Sequence, residues 1–205
     1  MEAGVGLPPT RSGADISREG ERWLTLANAI TSIRLPLAPL CAWAIVSDQP
    51  LLAASSFALA GLTDLVDGRV ARHRGEVSRL GGVLDHTSDA LFVASGLAAL
   101  ASQGIVPWAL APLVVLAFLQ YALDSRVLAG QTLRTSQLGR FNGIGYFILL
   151  GTPLIRDALG LPWPGPGLVF VLGGLLVAST GVSMLDRGWA YWLSRRAPGS
   201  PDEGR

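Results

Sequence analysis

The sequence has no lysine, one cysteine and little charge of either sign. Its sixteen basic residues, all arginine, nearly balance fifteen acids and leave a net charge of +1. That excludes the overall basic field that draws a protein to nucleic acid. Arginine is also the cation better suited to phosphate where two-pronged contacts are needed. With Cys41 alone, neither an intramolecular disulfide nor a cysteine metal cluster is possible, and the thiol reads as helix packing. The first two dozen residues carry Arg11, Arg18, Glu19, Glu21 and Arg22 without an apolar core. They do not read as a signal peptide, so the first spanning helix is expected to direct insertion. Charged residues are only 15% of a 205-residue chain that is half hydrophobic, with a mean hydropathy of +0.43. An ordinary soluble domain of this length is less apolar, which places the chain among membrane proteins.

Apolar runs recur from about residue 35 to residue 185 with polar stretches at both ends, which argues for one domain. A helix needs roughly 20 residues to cross about 30 Å of hydrocarbon. Polar, proline and glycine breaks divide the chain into six such segments, near 26–47, 50–71, 80–101, 106–126, 138–156 and 167–187. The predicted fold is therefore all-α and polytopic. Residues 1–25 form a cytosolic segment with a surface helix around Ile16 to Leu26, 26–193 form the six-helix transmembrane domain, and 194–205 form a disordered cytosolic tail. Arg18, Arg22, Arg69, Arg72, Arg74, Arg79, Arg126, Arg134, Arg140, Arg187, Arg195 and Arg196 fall on one side of this scheme and Arg156 on the other. The positive-inside rule makes the arginine side cytosolic, with both termini and the 73–79 loop. Trp23, Trp43, Trp108, Trp163, Trp189 and Trp192 mostly fall near span ends, as interfacial anchors do.

Asp64, Asp67, Asp85 and Asp89 do not fit a purely apolar bundle. Pro50 to Asp64 covers only about 21 Å at 1.5 Å per residue, so the second helix must continue past both acids to reach water near Arg72. Counted back from Ser102, the third segment needs residues to about Gly82, which submerges Asp85 and Asp89 as well. Both pairs should lie roughly 10–15 Å below the cytosolic headgroups. Spacings of three and four residues put each pair on one helix face. Four ionised carboxylates converging in low dielectric need protons or a multivalent cation. An all-oxygen cluster favours a hard ion, Mg²⁺ or Mn²⁺ over zinc, and two divalent ions would balance four charges. Gly68 and Gly81 leave room for a ligand near the backbone, and Arg72 one turn beyond Gly68 is placed to grip phosphate, so the set suggests a bound pyrophosphate. The alternative is interhelical salt bridges to Arg69, Arg72 and Arg79.

Asp64-Leu-Val-Asp67-Gly68-Arg-Val-Ala71-Arg72, eight residues, Gly81, three residues, Asp85, three residues, Asp89 matches D-x2-D-G-x2-A-R-x8-G-x3-D-x3-D at every fixed position. It resembles the CDP-alcohol phosphatidyltransferase family. The resemblance implies transfer from a CDP-linked lipid or alcohol, such as CDP-diacylglycerol, to a hydroxyl acceptor with release of CMP. It further implies two Mg²⁺ ions held by Asp64, Asp67 and Asp85, with Asp89 as general base and additional metal contact. Gly68, Ala71, Arg72 and Gly81 would hold the cytidine diphosphate part. Ser78, and Asn28 and Thr31 in Asn-Ala-Ile-Thr-Ser-Ile-Arg, resemble further donor contacts.

Many members carry Gly-Lys followed by threonine on the fifth helix, whereas this chain has Gly139-Arg140-Phe141-Asn142. Arg126, Arg134 and Arg140 are candidates for an anion pocket, favouring a phosphorylated acceptor such as glycerol 3-phosphate or an inositol phosphate; as an alternative they are positive-inside residues at helix ends. Gly139, Gly143, Gly145 and Gly151 form a small-residue surface suited to helix packing, including a homodimer seam. His73 reads as solvated, and His86 as packing rather than metal binding. A transporter with a buried cation path predicts more helices arranged as a repeat. An intramembrane prenyltransferase would carry its two acidic motifs on distant helices.

Overall fold

The structure, a computed structural model, describes residues 26–74, 79–127 and 137–196. It is all-helical, with no strand among the described residues. The described residues form seven helices in order: α1 (Leu26–Ser32), α2 (Arg34–Val46), α3 (Pro50–Arg74), α4 (Arg79–Ser102), α5 (Leu110–Val127), α6 (Gln137–Ala158) and α7 (Pro166–Arg196). The expected surface helix before Leu26 lies outside the described residues. Among the described residues, three stretches are long and apolar enough to cross a membrane: Ala29–Val46, Pro50–Val70 and Pro166–Trp189. In α4 the charges of Arg79, Asp85 and Asp89, and in α6 those of Arg140, Arg156 and Asp157, lower the apolar content of otherwise long helices.

Three of the breaks read from the sequence are the same device. After α2, α4 and α6 the chain passes through a residue with positive φ, Asp48 (54°), Gly104 (72°) and Gly160 (62°). The next amide then reaches back five residues to close the helix: Gln49 N donates to Ala44 O (2.8 Å), Ile105 N to Leu100 O (3.0 Å) and Leu161 N to Arg156 O (2.9 Å). This Schellman closure satisfies carbonyls that would otherwise end the helix unpaired.

Three boundaries differ from expectation. The first span is interrupted at Ile33, between α1 and α2. Pro36 has no N–H to give Ser32, and its ring crowds that carbonyl, which breaks the ladder one turn earlier. α5 starts at Leu110 rather than 106, after a turn holding Pro107. α7 continues to Arg196, past 187; residues 197–205 of the expected tail lie outside the described residues.

Followed round the bundle, neighbouring helices are α2, α3, α6, α7, α5, α4 and again α2, with α4 also touching α1 and α6. Where lipid competes for apolar surface, close backbone approach matters more than hydrophobicity. The core fits that requirement: Ala44, Ala53, Ala60 and Ala101 alternate with Phe92, Leu97, Leu100 and Leu150, all buried. Cys41 is buried among them and donates to Ala53 O. Glycines serve the same end. A Cβ on Gly96 would stand 2.7 Å from Leu150 Cδ1, and one on Gly145 2.8 Å from Leu176 Cδ2. Gly151 faces Phe57, whose ring packs 4.4 Å from that of Phe147. Gly145 and Gly151 thus seat neighbours within the chain, while Gly143 faces open space. Trp43, Trp108, Trp163, Trp189 and Trp192 are exposed, as anchors require.

Candidate metal centre

Asp64 and Asp67 stand on α3, Asp85 and Asp89 on α4, and the four acids meet around one cation. Asp64 stands opposite Asp89, and Asp67 opposite Asp85, an arrangement revealed by a side chain that touches all four. Arg34, the first residue of α2, is 1% exposed. Its Nη1 bonds Asp89 Oδ1 and reaches Asp64 Oδ1 at 3.4 Å. Its Nη2 bonds Asp67 Oδ2 and donates to Asp85 Oδ1 at 2.7 Å. Thr31, one turn earlier on α1, donates its hydroxyl to Asp67 Oδ2 at 2.7 Å. Spacing makes this convergence possible: Thr31 and Arg34 are three apart and share a helical direction even across the Ile33 break.

Covering by protein is graded. Side-chain exposure rises from 5% at Asp67 to 30% at Asp85, 42% at Asp89 and 49% at Asp64. Asp67 therefore forms the floor, and the other three line an opening through which a ligand can approach. The acids' ion pairs run to Arg34 and to His86, whose Nδ1 lies 3.7 Å from Asp85 Oδ2. The alternative of pairing with Arg69 and Arg72 is not what the fold adopts; both are exposed, and the side chain of Arg79 is outside the described residues. His86 is half exposed and so is not core packing.

The oxygen set fits a hard divalent ion. One ligand atom each from Asp64, Asp67 and Asp85 lies within 4.8 Å of the others. Arg34 marks where positive charge is favoured, since each of its two terminal nitrogens sits between one acid of α3 and one of α4. One guanidinium against four carboxylates leaves up to three negative charges for protons or metal ions to offset. In a low-dielectric setting that excess calls for further cations.

The remaining candidates divide clearly. Arg72 folds back over Gly68, its Nη1 3.5 Å from where a Cβ on that glycine would be. Ala71 follows on α3, and Gly81 is half-buried in the first turn of α4. Asn28 lies on α1 one turn before Thr31, with its side chain outside the described residues. Ser78 and Arg134 lie outside them altogether; Arg126 is the last residue but one of α5, its side chain outside the described residues, and Arg140 is exposed in the first turn of α6. His73 is exposed at the end of α3. The sequence reading quoted Arg34 at the end of Asn-Ala-Ile-Thr-Ser-Ile-Arg and gave it no role of its own. Its signal was available: an arginine nine positions into an apolar run must have a partner.

Fold and site together define a helical membrane protein with an acidic, metal-competent centre on two adjacent helices. Residues 24–192 match the CDP-alcohol phosphatidyltransferase family, and the chain belongs to that family. Membership sets aside the transporter and prenyltransferase readings. Similar proteins include a probable cardiolipin synthase (CMP-forming) of Drosophila melanogaster, 34% identical over 49% of this chain and 32% of its own length. The human cardiolipin synthase (CMP-forming) is 30% identical over 55% of this chain and 42% of its own. The rice chloroplastic CDP-diacylglycerol–glycerol-3-phosphate 3-phosphatidyltransferase 1 is 31% identical over 54% and 36%. The matches thus span about a third to two fifths of these relatives' lengths.

Proposed function

We propose that this protein is a Mg²⁺-dependent phosphatidyltransferase of phospholipid synthesis. It moves the phosphatidyl group of CDP-diacylglycerol to the hydroxyl of a phosphoglycerol acceptor and releases CMP. The observation that carries this reading is the meeting of four carboxylates from α3 and α4 at one opening with a large negative excess. Six helical spans, counting α1 and α2 as one, hold the site. The 1–25 segment, the α3–α4 hairpin and the 194–205 tail face the cytosol of a bacterial-type cell, so that a nucleotide enters from water while acyl chains stay in lipid.

Asp64, Asp67 and Asp85 would hold the two ions, with Asp89 as a further ligand. When bound, the ions supply charge that offsets the diphosphate and eases departure of CMP. Gly68 and Gly81 leave space for the cytidine diphosphate, with Ala71 between them in the motif. Arg72, Ser78, Asn28 and Thr31 supply polar contacts. The acceptor oxygen attacks the β-phosphorus, the bond from that phosphorus to the CMP oxygen breaks, and Asp89 takes the acceptor's proton. Arg126, Arg134 and Arg140 bind acceptor phosphate. Arg187, whose guanidinium occupies the space above Gly139, adds a cation one residue from Arg140. The acceptor assignment follows the relatives' names: it is glycerol 3-phosphate or a lipid-borne phosphoglycerol, in preference to an inositol phosphate. A second copy of the chain completes a homodimer.

The test is CMP release by purified protein given Mg²⁺, CDP-diacylglycerol and, separately, glycerol 3-phosphate, phosphatidylglycerol and inositol phosphate. One of the first two should give CMP and a new phospholipid, and EDTA should abolish both. Turnover with none of the three, under conditions where the protein is folded, overturns the proposal.

A further inference from the structure

We propose that Arg34 is the internal counter-cation of the carboxylate cluster and competes with divalent ions for it, so that taking up metal and letting go of Arg34 are one coupled event. The inference rests on the metal-centre reading above.

Each terminal nitrogen of Arg34 holds a pair of acids, Asp64 with Asp89 and Asp67 with Asp85. These are the oxygens a divalent ion would need, and three of the four acids already present them within 4.8 Å of one another. A guanidinium and a divalent ion drawn to the same oxygens repel one another, and little water lies between them to screen it. Arg34 is 1% exposed, so leaving the acids means leaving a packed position.

The backbone beside it is loosely tied. Arg34 follows the interruption at Ile33, where the amide of Ile33 reaches only three residues back to Ile30 O and Leu37 N spans a long 3.4 Å to Ile33 O. Pro36 contributes no amide to this turn. The side chain is itself incompletely held, since Nε is buried with no hydrogen-bond partner. A strong four-way grip at the tip thus coexists with a weak joint at the base, which is what a displaceable cation requires. Thr31 keeps α1 attached to Asp67 when the guanidinium leaves.

The experiment is a Mn²⁺ titration by calorimetry on the full chain in lipid nanodiscs, comparing wild type, Arg34→Gln and Arg34→Lys, with thermal unfolding in EDTA and in saturating Mn²⁺. Arg34→Gln should bind Mn²⁺ at least about tenfold more tightly than wild type, because a competing positive charge is gone. It should be less stable than wild type in EDTA and recover on saturation. Should it fail to fold without metal, Arg34→Lys decides: one ammonium cannot hold two acid pairs, so Mn²⁺ affinity should rise about threefold. Equal or weaker Mn²⁺ binding by the variants overturns the inference alone, showing that Arg34 only orders the ligands. Failure of wild type and variants alike to bind Mn²⁺ overturns the metal-centre reading and this inference with it.

Discussion

Two polar regions lie inside this bundle, and they are built on opposite rules. Between α6 and α7 the polar groups are nearly all neutral and meet in pairs. Ser179 donates to Asn142 Oδ1 at 2.7 Å, and Tyr146 bonds Thr180, whose own hydroxyl donates to Leu176 O at 2.6 Å, which leaves the tyrosine as donor. Thr180, Asn142 and Tyr146 are all buried. At the junction of α1, α2, α3 and α4 the groups are ionisable, outnumber their cation four to one, and lie open on three of four members. Neutral pairs closed on themselves act as glue between helices. A charge excess beside an opening stores an affinity for something not yet bound. The contrast is not complete, because Asn142 Nδ2 and Arg187 Nε are buried without partners in the first region. Those nitrogens lie toward the end of α6 that carries Arg140, where the proposed acceptor phosphate would sit.

Substitutions can break this contrast from either side. The largest effect is expected for Asp89→Asn, which keeps the side chain's shape and removes its capacity to take a proton. CMP release should fall by about 10²–10⁴-fold with thermal stability in Mg²⁺ nearly unchanged; a rate within threefold of wild type would remove Asp89 from the mechanism. Next comes Asp64→Asn, which should weaken Mn²⁺ binding and CDP-diacylglycerol binding together, each by about tenfold or more, since ligand charge sets affinity for hard cations. Calorimetry showing one weakened and the other intact would argue against a shared centre. In the neutral region, Gly145→Val inserts a side chain into the 2.8 Å space before Leu176 Cδ2. It should cost about 1–3 kcal/mol in unfolding free energy and leave Mn²⁺ affinity alone. Smallest is Tyr146→Phe, expected to cost about 0.6 kcal/mol, the usual scale for a hydrogen bond between membrane helices. An activity loss above tenfold from that change would place the α6–α7 cluster in the site rather than in the scaffold.

Much of this was readable along the chain. The breaks expected at Asp48 to Pro50, Ser102 to Gly104 and Leu161 to Gly167 fall at or just after Asp48, Gly104 and Gly160, residues that accept a left-handed backbone. The faces of the acid pairs follow from spacings of three and four, a local property of any helix. The Ile33 interruption was equally local, since Pro36 is visible in the sequence, yet a continuous apolar run masked it. His86 was misjudged because helical phase says which way a side chain points and nothing about whether another helix is there to cover it.

The sequence by itself determined that four acids would stand in two pairs, each on one helix face, because helical period is set by bonds within a few residues. Only the tertiary structure decided which cation answers them. Arg69, Arg72 and Arg79 are nearer along the chain, but Arg34, separated by 30 to 55 positions from the acids it joins, is the one that α2 carries into the space between α3 and α4. Electrostatic partners are chosen by distance through space and by exclusion of water, and neither exists until the helices have packed.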